Sequence, residues 1–412
     1  MRAGKKLNRG QTKLMGVCAR QSDPIVCQGD HSWSLTSIES LAESISEKAP
    51  IGFCPYLEIG DVFPFQWKFQ GKEKPAVAGA RLAKPGDIVI SNVRPGRGVM
   101  VRLDRESAVS AGFTVLRNRH FADWDFVFSC LQQKSFFDFL VQKCEGGVYP
   151  TCCSDDVLQY QIPIPPMEIQ KKIAAFTFSI HSSLDASRNI SAQILLLKRA
   201  IWVWFKKLGR VRGWPTKVIG QIAKVANGST PSKKEPSYWE NGNIPWLPTG
   251  KVNDRVITNA DAFITEKALK ACPLSLLPIG TSLIAMIGQG KTRGMTAFLQ
   301  LEACINQNFA AVIPGKGINP KYLFHFLESQ YESLRGSARG SNQDALNCSI
   351  VKDFPVLIPP ASNQSAIVGI FDSLDLRVST ENRFIFQCEN LKQSLLSNLL
   401  SGPFPLVSEV EL

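Results

Sequence analysis

Ile162-Pro163-Ile164-Pro165-Pro166, followed by Gln170, Ile173 and Phe176, is answered about 194 residues later by Val356-Leu357-Ile358-Pro359-Pro360, followed by Gln364, Ile367 and Ile370. Each time a short apolar run meets a Pro-Pro pair and gives way to apolar residues at helical spacing. Outward from these stretches, Lys84-Pro85-Gly86-Asp87-Ile88-Val89-Ile90 parallels Pro278-Ile279-Gly280-Thr281-Ser282-Leu283-Ile284, and Asp125-Phe126-Val127-Phe128 parallels Lys321-Tyr322-Leu323-Phe324. Tyr56-Leu57-Glu58-Ile59-Gly60-Asp61-Val62 matches Trp246-Leu247-Pro248-Thr249-Gly250-Lys251-Val252, and Trp33-Ser34-Leu35-Thr36-Ser37-Ile38 matches Trp214-Pro215-Thr216-Lys217-Val218-Ile219. The order is preserved throughout. A period this long exceeds that of solenoid repeats, and each copy is large enough for its own core. The chain reads as a duplicated two-domain protein.

The repeat divides the chain into a basic N-terminal extension (1–30), a first globular domain (31–165), a central helix (166–210), a second globular domain (211–360), a C-terminal helix (361–402) and a tail (403–412). The globular parts consist of short β-branched or aromatic runs punctuated by Gly and Pro, with one helix-like stretch each, around 123–143 and 319–334. That pattern predicts an α+β fold. The first long helix carries Ile173, Phe176, Ile180, Leu184, Ile194, Leu197, Ile201, Phe205 and Leu208. The second carries Ile367, Phe371, Leu374, Val378, Ile385, Leu391, Leu395 and Leu399. Helices of about 60 Å exceed what one small core needs, so the stripes predict that the two helices pair; separate core helices are the plainer alternative. Gly209 and Gly402 read as their C-terminal caps.

The 412 residues are 44% hydrophobic with a net charge of +12 and a pI near 9.2. That balance points to a polyanionic partner, nucleic acid ahead of an acidic membrane surface. No apolar run is long enough to span a bilayer, and the basic start, Met1 to Gly10, has no apolar signal segment behind it, so a soluble intracellular protein without membrane association is expected. Eleven scattered cysteines form no Cys-x-x-Cys pair, and His31, His120, His181 and His325 are not spaced for zinc. No metal is expected. Cys152 and Cys153 are adjacent, unsuited to an ordinary disulfide, and the odd total fits reduced thiols.

Ala285-Met286-Ile287-Gly288-Gln289-Gly290-Lys291-Thr292 imitates a nucleotide P-loop. A working P-loop opens a helix whose amides hold phosphate, whereas Arg293-Gly294-Met295-Thr296-Ala297-Phe298-Leu299 reads as a turn and a strand. The first copy has Ser91-Asn92-Val93-Arg94-Pro95-Gly96-Arg97-Gly98 in this place. What the copies share is a basic, glycine-rich loop between strands, suited either to a plain hairpin or to contacting phosphate. Asn319-Pro320-Lys321-Tyr322 lacks the second proline of a base-methylating element, and neither a nucleophile elbow nor paired histidines occur. The chain reads as a binder with no catalytic residues.

The second copy carries Gly228-Ser229-Thr230-Pro231-Ser232, Tyr238-Trp239, Ile244-Pro245-Trp246-Leu247, Gly340-Ser341-Asn342-Gln343 and Ile358-Pro359-Pro360 in that order. On this duplicated framework, roughly residues 31 to 402 resemble the specificity (S) subunits of type I restriction-modification enzymes. The first copy departs from the pattern, having no Gly-x-Thr-Pro element before Tyr56. The resemblance implies two target recognition domains reading the halves of a split site in double-stranded DNA, and two helices forming an antiparallel coiled-coil spacer. It also implies two docked methyltransferase (M) subunits and, in the full complex, restriction (R) subunits. Adenine methylation and ATP-dependent cleavage would belong to those partners with S-adenosylmethionine, ATP and Mg; this chain would bind no cofactor and would be cytoplasmic. The alternative is a free-standing sequence-specific DNA-binding regulator whose duplication imitates a dimer.

DNA contact needs Arg and Lys for phosphates and Arg, Asn or Gln for base edges. The expected residues are Lys68, Lys72, Lys74, Arg94, Arg97, Arg102 and Arg117 in the first domain. In the second they are Lys233, Lys234, Lys251, Arg255, Lys291, Arg293, Arg335, Arg339, Asn342 and Gln343, with the Arg335-to-Gln343 cluster foremost. Trp202 and Trp204, beside a seam at Ile201 and Phe205, are expected to face a partner subunit; Tyr238 and Trp239 suit either core or partner.

Overall fold

The computed structural model describes residues 33–62, 73–145, 149–288, 290–337 and 345–401. The first copy runs β1 (Ser34–Ser37), α1 (Ile38–Leu41), β2 (Ala42–Ser44), β3 (Tyr56–Leu57), β4 (Arg81–Ala83), β5 (Ile88–Ser91), β6 (Met100–Arg102), β7 (Ser107–Val109) and β8 (Phe113–Asn118). It continues with α2 (Trp124–Leu131), α3 (Lys134–Lys143), α4 (Ser154–Gln159), β9 (Gln161–Ile164) and the long α5 (Met167–Val211). The second runs β10 (Thr216–Val218), α6 (Ile219–Ile222), β11 (Ala223–Asn227), β12 (Ile244–Leu247), β13 (Val256–Ile257), β14 (Ala262–Ile264), α7 (Glu266–Ala271), β15 (Ser282–Ala285), β16 (Thr296–Leu299), β17 (Cys304–Ile305) and β18 (Phe309–Pro314). Then come α8 (Pro320–Ser329), α9 (Tyr331–Gly336), α10 (Cys348–Lys352), β19 (Pro355–Leu357) and the long α11 (Ala361–Ser401).

The copies fold alike. The main sheets are ordered β2-β8-β5-β6 and β11-β18-β15-β16-β13, and β1 pairs with β9 as β10 pairs with β19, both antiparallel. Central β5 and β15 are buried along their whole length, so their side chains serve cores on both faces of the sheet. The smaller sheets differ. β3 pairs parallel to β7 as β12 does to β17, but the third strand joins on the β7 side in one copy (β4) and on the β12 side in the other (β14). Each predicted helix-like stretch is two helices, broken at Gln132–Gln133 and at Gln330.

Gln170 and Gln364 explain why the repeat is strongest at the Pro-Pro pairs. Gln170 Oε1 accepts from Asp123 N (2.8 Å) while its Nε2 donates to Pro165 O (2.8 Å). Gln364 Oε1 accepts from Asn319 N (2.8 Å) while its Nε2 donates to Pro359 O (2.9 Å) and Gly317 O (3.2 Å). Asp123 and Asn319 in turn cap α2 and α8 through their side chains, which meets backbone donors that the helix leaves unpaired. One buried glutamine thus ties the first turn of each long helix to its domain.

Two compact units divide the chain: residues up to Thr177 with those from Gln393 onward, and Phe178–Lys392. In the first, Ile88, Phe126 and Phe136 pack with Ile173 from the start of α5 and Leu396 from the end of α11. In the second, Ile284, Tyr322 and Leu323 pack with Phe371 from the start of α11 and Trp202 and Phe205 from the end of α5. Within this second unit Arg188 meets Glu389 (2.7 Å), Lys198 meets Asp375 (2.6 Å) and Trp202 stacks on Phe371 (4.8 Å). Ascending numbers on α5 meet descending numbers on α11, so the helices pair antiparallel.

The expected cap at Gly209 is corrected. Helix α5 runs on to Val211, and Gly213, at φ 66°, turns the chain while Trp214 N donates to Gly209 O (2.9 Å), a Schellman closure. Gly209 lies inside the last turn, where a Cβ would stand 2.7 Å from Leu357 Cδ2. Gly402 lies outside the described residues, as does the 1–30 extension.

Candidate nucleic-acid interface

In both copies the glycine-rich loop joins two antiparallel strands, β5–β6 and β15–β16. No helix follows Lys291, so the P-loop likeness is confined to the letters. In the first domain the loop is fastened to the segment that follows the helix pair, and in the second it is fastened to the second helix of the pair. In the first domain Arg94 N donates to Pro150 O (2.8 Å), Cys152 N donates to Asn92 O (3.0 Å), and Val93 bridges Thr151. Arg94 occupies the left-handed region (φ 49°) and holds its guanidinium 4.4 Å from the ring centroid of exposed Tyr149. Arg97 is exposed, one turn further on.

In the second domain Tyr331 Oη donates to Lys291 O (2.7 Å), and Arg335 Nη1 reaches Arg293 O (3.4 Å) and Tyr331 Oη (3.3 Å). Lys291 is exposed and Arg293 half-buried. The structure therefore brings Lys291, Arg293 and Arg335 together. Arg339, Asn342 and Gln343 lie outside the described residues, as do Lys68 and Lys72. Tyr149 escaped the sequence reading; its place two residues after the Gly146-Gly147 pair in the sequence was the available signal.

The Gly-Ser-Thr-Pro element is structural. A Cβ on Gly228 would fall 1.9 Å from Ile305 O, Ser229 N donates to that carbonyl (3.0 Å), and Trp246 Nε1 donates to Ser229 O (2.9 Å). Trp239 packs edge-on against Trp246 (5.3 Å), donates to Ser232 O (3.1 Å), and so shapes the turn that carries exposed Lys233 and Lys234.

Other expected residues are held in ion pairs by carboxylates of the same domain. Lys74 pairs with Glu58 and Asp61 (both 2.8 Å), Arg102 with Asp125 (2.6 Å), Arg117 with Asp87 (2.7 Å), and Lys251 with Asp254 (2.5 Å) and Asp261 (3.3 Å). Arg255 is the furthest from the expectation. From a strained φ of 60° it donates to Glu328 and, at 2.6 Å, to Asp375. Lys198 joins the same carboxylates, and Asp372 takes His325 (3.0 Å) and Lys321 (2.5 Å). Burial opposes the Arg255 charge, yet Glu328 and Asp375 outweigh it and hold the guanidinium firmly protonated. Burial also opposes ionisation of Glu328 and Asp372, but their cations keep both carboxyls below the usual range. His325 is pushed down by burial, only partly offset by Asp372. This network binds the second domain to both long helices.

Trp202 is corrected too: it is buried against Tyr322, Phe326 and Phe371. The helix touches both α11 and α8 there, so its apolar face is wider than a two-residue seam. Trp204 is 57% exposed. Among the described residues no helix is long and apolar enough to cross a membrane, and no three His, Cys, Asp or Glu side chains are placed to hold a metal ion.

The family model for the type I restriction modification DNA specificity domain matches twice, at 39–196 and 212–389. The specificity subunit of an Escherichia coli type I restriction enzyme is 27% identical over 229 residues, 53% of this chain and 56% of that protein. A Methanocaldococcus jannaschii counterpart is 29% identical over 46% of this chain and 45% of its own length. The chain thus spans about half the length of these two relatives. A Haemophilus influenzae counterpart is 19% identical over 90% of this chain and 99% of that protein. Among solved structures, the S subunit of a type I restriction-modification system from M. genitalium superposes with a TM-score of 0.58 at 13% identity, over 93% of this chain and all of that one. A chain solved in work on complex assembly and conformational transition of the type I R-M system gives 0.55 at 19% identity, over 91% and 99%. At these identities the two structures speak for the fold.

Proposed function

We propose, on the premise that this chain belongs to the type I restriction modification DNA specificity family, that it is the subunit that reads a split DNA sequence for a type I restriction-modification enzyme. The carrying observation is the double match, one specificity domain in each copy of the repeat. Two domains on one chain read two short sequences at a fixed separation. We assign them to residues 31–165 and 211–360, with 166–210 and 361–402 as the spacer. The free-standing regulator has no observation in its favour.

In this reading each domain presents a hairpin loop and the segment fastened to it. Arg94 and Arg97 with Tyr149 serve the first half of the site. Lys291, Arg293, Arg335, Lys233 and Lys234, together with Arg339, Asn342 and Gln343, serve the second. Arg and Lys would neutralise phosphates, while Asn and Gln suit base edges. The chain supplies no catalytic group and no cofactor. Two methyltransferase subunits and, in the full complex, restriction subunits would bring S-adenosylmethionine, ATP and Mg, in the cytoplasm. Leu196, Val203, Trp204 and Val211 line one stripe of α5 and are 57 to 78% exposed, an apolar strip suited to a methyltransferase surface.

The test is co-expression with a cognate methyltransferase and genome-wide mapping of N6-methyladenine with and without this chain. A split motif that disappears with the chain is the expected result. Chain-independent methylation by an active, soluble complex would overturn the reading.

A further inference from the structure

Glu145 and Thr151 exchange both backbone hydrogen bonds at 3.0 Å as an antiparallel pair. Cys144 and Cys152 are the next residues outward on the two arms, so they stand opposite each other as a non-hydrogen-bonded pair. Such pairs set Cα atoms about 4.5 Å apart, within the roughly 4.4–6.8 Å that a disulfide spans. The Cys152 thiol lies 3.7 Å from Asn92 O. Both are reduced here, Cys144 half-buried and Cys152 buried. In the second copy Leu346, donating to Met286 O as Cys152 does to Asn92 O, fills the matching place. The slot needs an apolar side chain, not a thiol, and the second thiol opposite it is peculiar to the first copy.

We propose that Cys144 and Cys152 form a dithiol site that low-molecular-weight disulfides oxidise to an intramolecular disulfide, fastening the segment that carries Tyr149 to the end of α3. The Cys144 thiolate attacks the small disulfide and releases one thiolate. The Cys152 sulfur, giving up its proton, then attacks Cys144 Sγ and displaces the second. The two cysteine protons end on the two released thiols, and two electrons pass from the protein to the oxidant. Burial raises both thiols, Cys152 to about 12, and Asp156 adds to both; the neighbouring thiols push Cys152 further up, whereas Cys152 opposes the rise at Cys144. Thiolate is scarce at neutral pH, so the bond forms slowly and faster as pH rises. Thiols of high pKa are also poor leaving groups, so the bond resists reduction once made. Cys153 is exposed but points to the other face of the extended chain. The site does not depend on the DNA-reading role.

The experiment equilibrates the full-length chain in glutathione buffers of graded potential, blocks free thiols with an alkylating reagent and maps the digest by mass spectrometry. A Cys144–Cys152 cross-linked peptide is expected, lost in Cys144→Ser and Cys152→Ser and retained in Cys153→Ser. In the oxidised protein, amide exchange at Arg94 and Thr151 should slow by about an order of magnitude. Cys144 and Cys152 both remaining alkylatable while Cys153 carries glutathione would overturn the proposal, as would an unchanged exchange rate in fully cross-linked protein.

Discussion

Gln170 and Gln364 make equivalent hydrogen bonds, yet the next turns of the two junctions have little in common. In the first copy Ser129 on α2 meets Thr177 on α5 through their hydroxyls (2.6 Å). In the second, His325 on α8 meets Asp372 on α11, while Arg255 and Lys198 bridge Glu328 on α8 to Asp375 on α11. The common element is neutral, buried and indifferent to conditions. What diverged is whether the remaining contact depends on protonation and salt, so the two domains hold their helices with different sensitivity to the medium.

The largest effect tests whether the crossed packing is equivalent in the two copies. Trp202→Ala should cost the second unit about 3–5 kcal/mol and Leu396→Ala, its counterpart in the repeat, should cost the first about 2–5 kcal/mol. Urea unfolding followed by amide exchange separates the two; loss confined to one unit for both variants would break the symmetry. Gln170→Ala and Gln364→Ala should each cost about 2 kcal/mol, since backbone groups are left buried without partners. Unequal costs would show that the charged cluster shares the second clamp's role.

A pH series sharpens the difference. His325, Glu328 and Asp372 all have folded pKa values below their unfolded ones. Their contribution is present above the unfolded values and lost as pH falls, beginning below 6.5 for His325 and continuing through the carboxylate range. Ser129 and Thr177 do not titrate. Asp125 in the first unit is raised by burial against the opposing pull of Arg102, so acid relieves it. Chemical denaturation at pH 7 and pH 5 should therefore weaken the second unit more than the first. The smallest effect is on binding. Arg94→Ala and Lys291→Ala should each lower the slope of log affinity against log salt by about 0.9 if each side chain neutralises one phosphate. A change for only one of them would assign the electrostatic contact to a single domain.

Much of this architecture was legible. A shift of about 194 residues aligns strands, helix pairs and Pro-Pro turns, because hydrophobic period survives divergence where side-chain identity does not. The glutamines were visible as a repeated letter, but their partners Asp123 and Asn319 lie 47 and 45 residues away, a distance that no local pattern bridges. Trp202 was misread because a seam was drawn for one neighbouring helix and the helix has two neighbours. Arg255 carried the right charge for phosphate, but only the fold brings Glu328 and Asp375 to it. The adjacency of Cys152 to Cys153 drew attention away from Cys144, whose facing position follows from strand register alone.

The crossed packing also bears on how the molecule comes into being. The second unit is continuous, Phe178–Lys392, whereas the first draws Leu396 into a core built around residues from the opposite end of the chain. A core whose members are so far apart in sequence must wait for the later one to be made, and such non-local closure is slow. The expected consequence on the ribosome is that the half translated first is completed last: a nascent chain stopped short of Leu396 should remain sensitive to protease in the first unit after the second has become resistant.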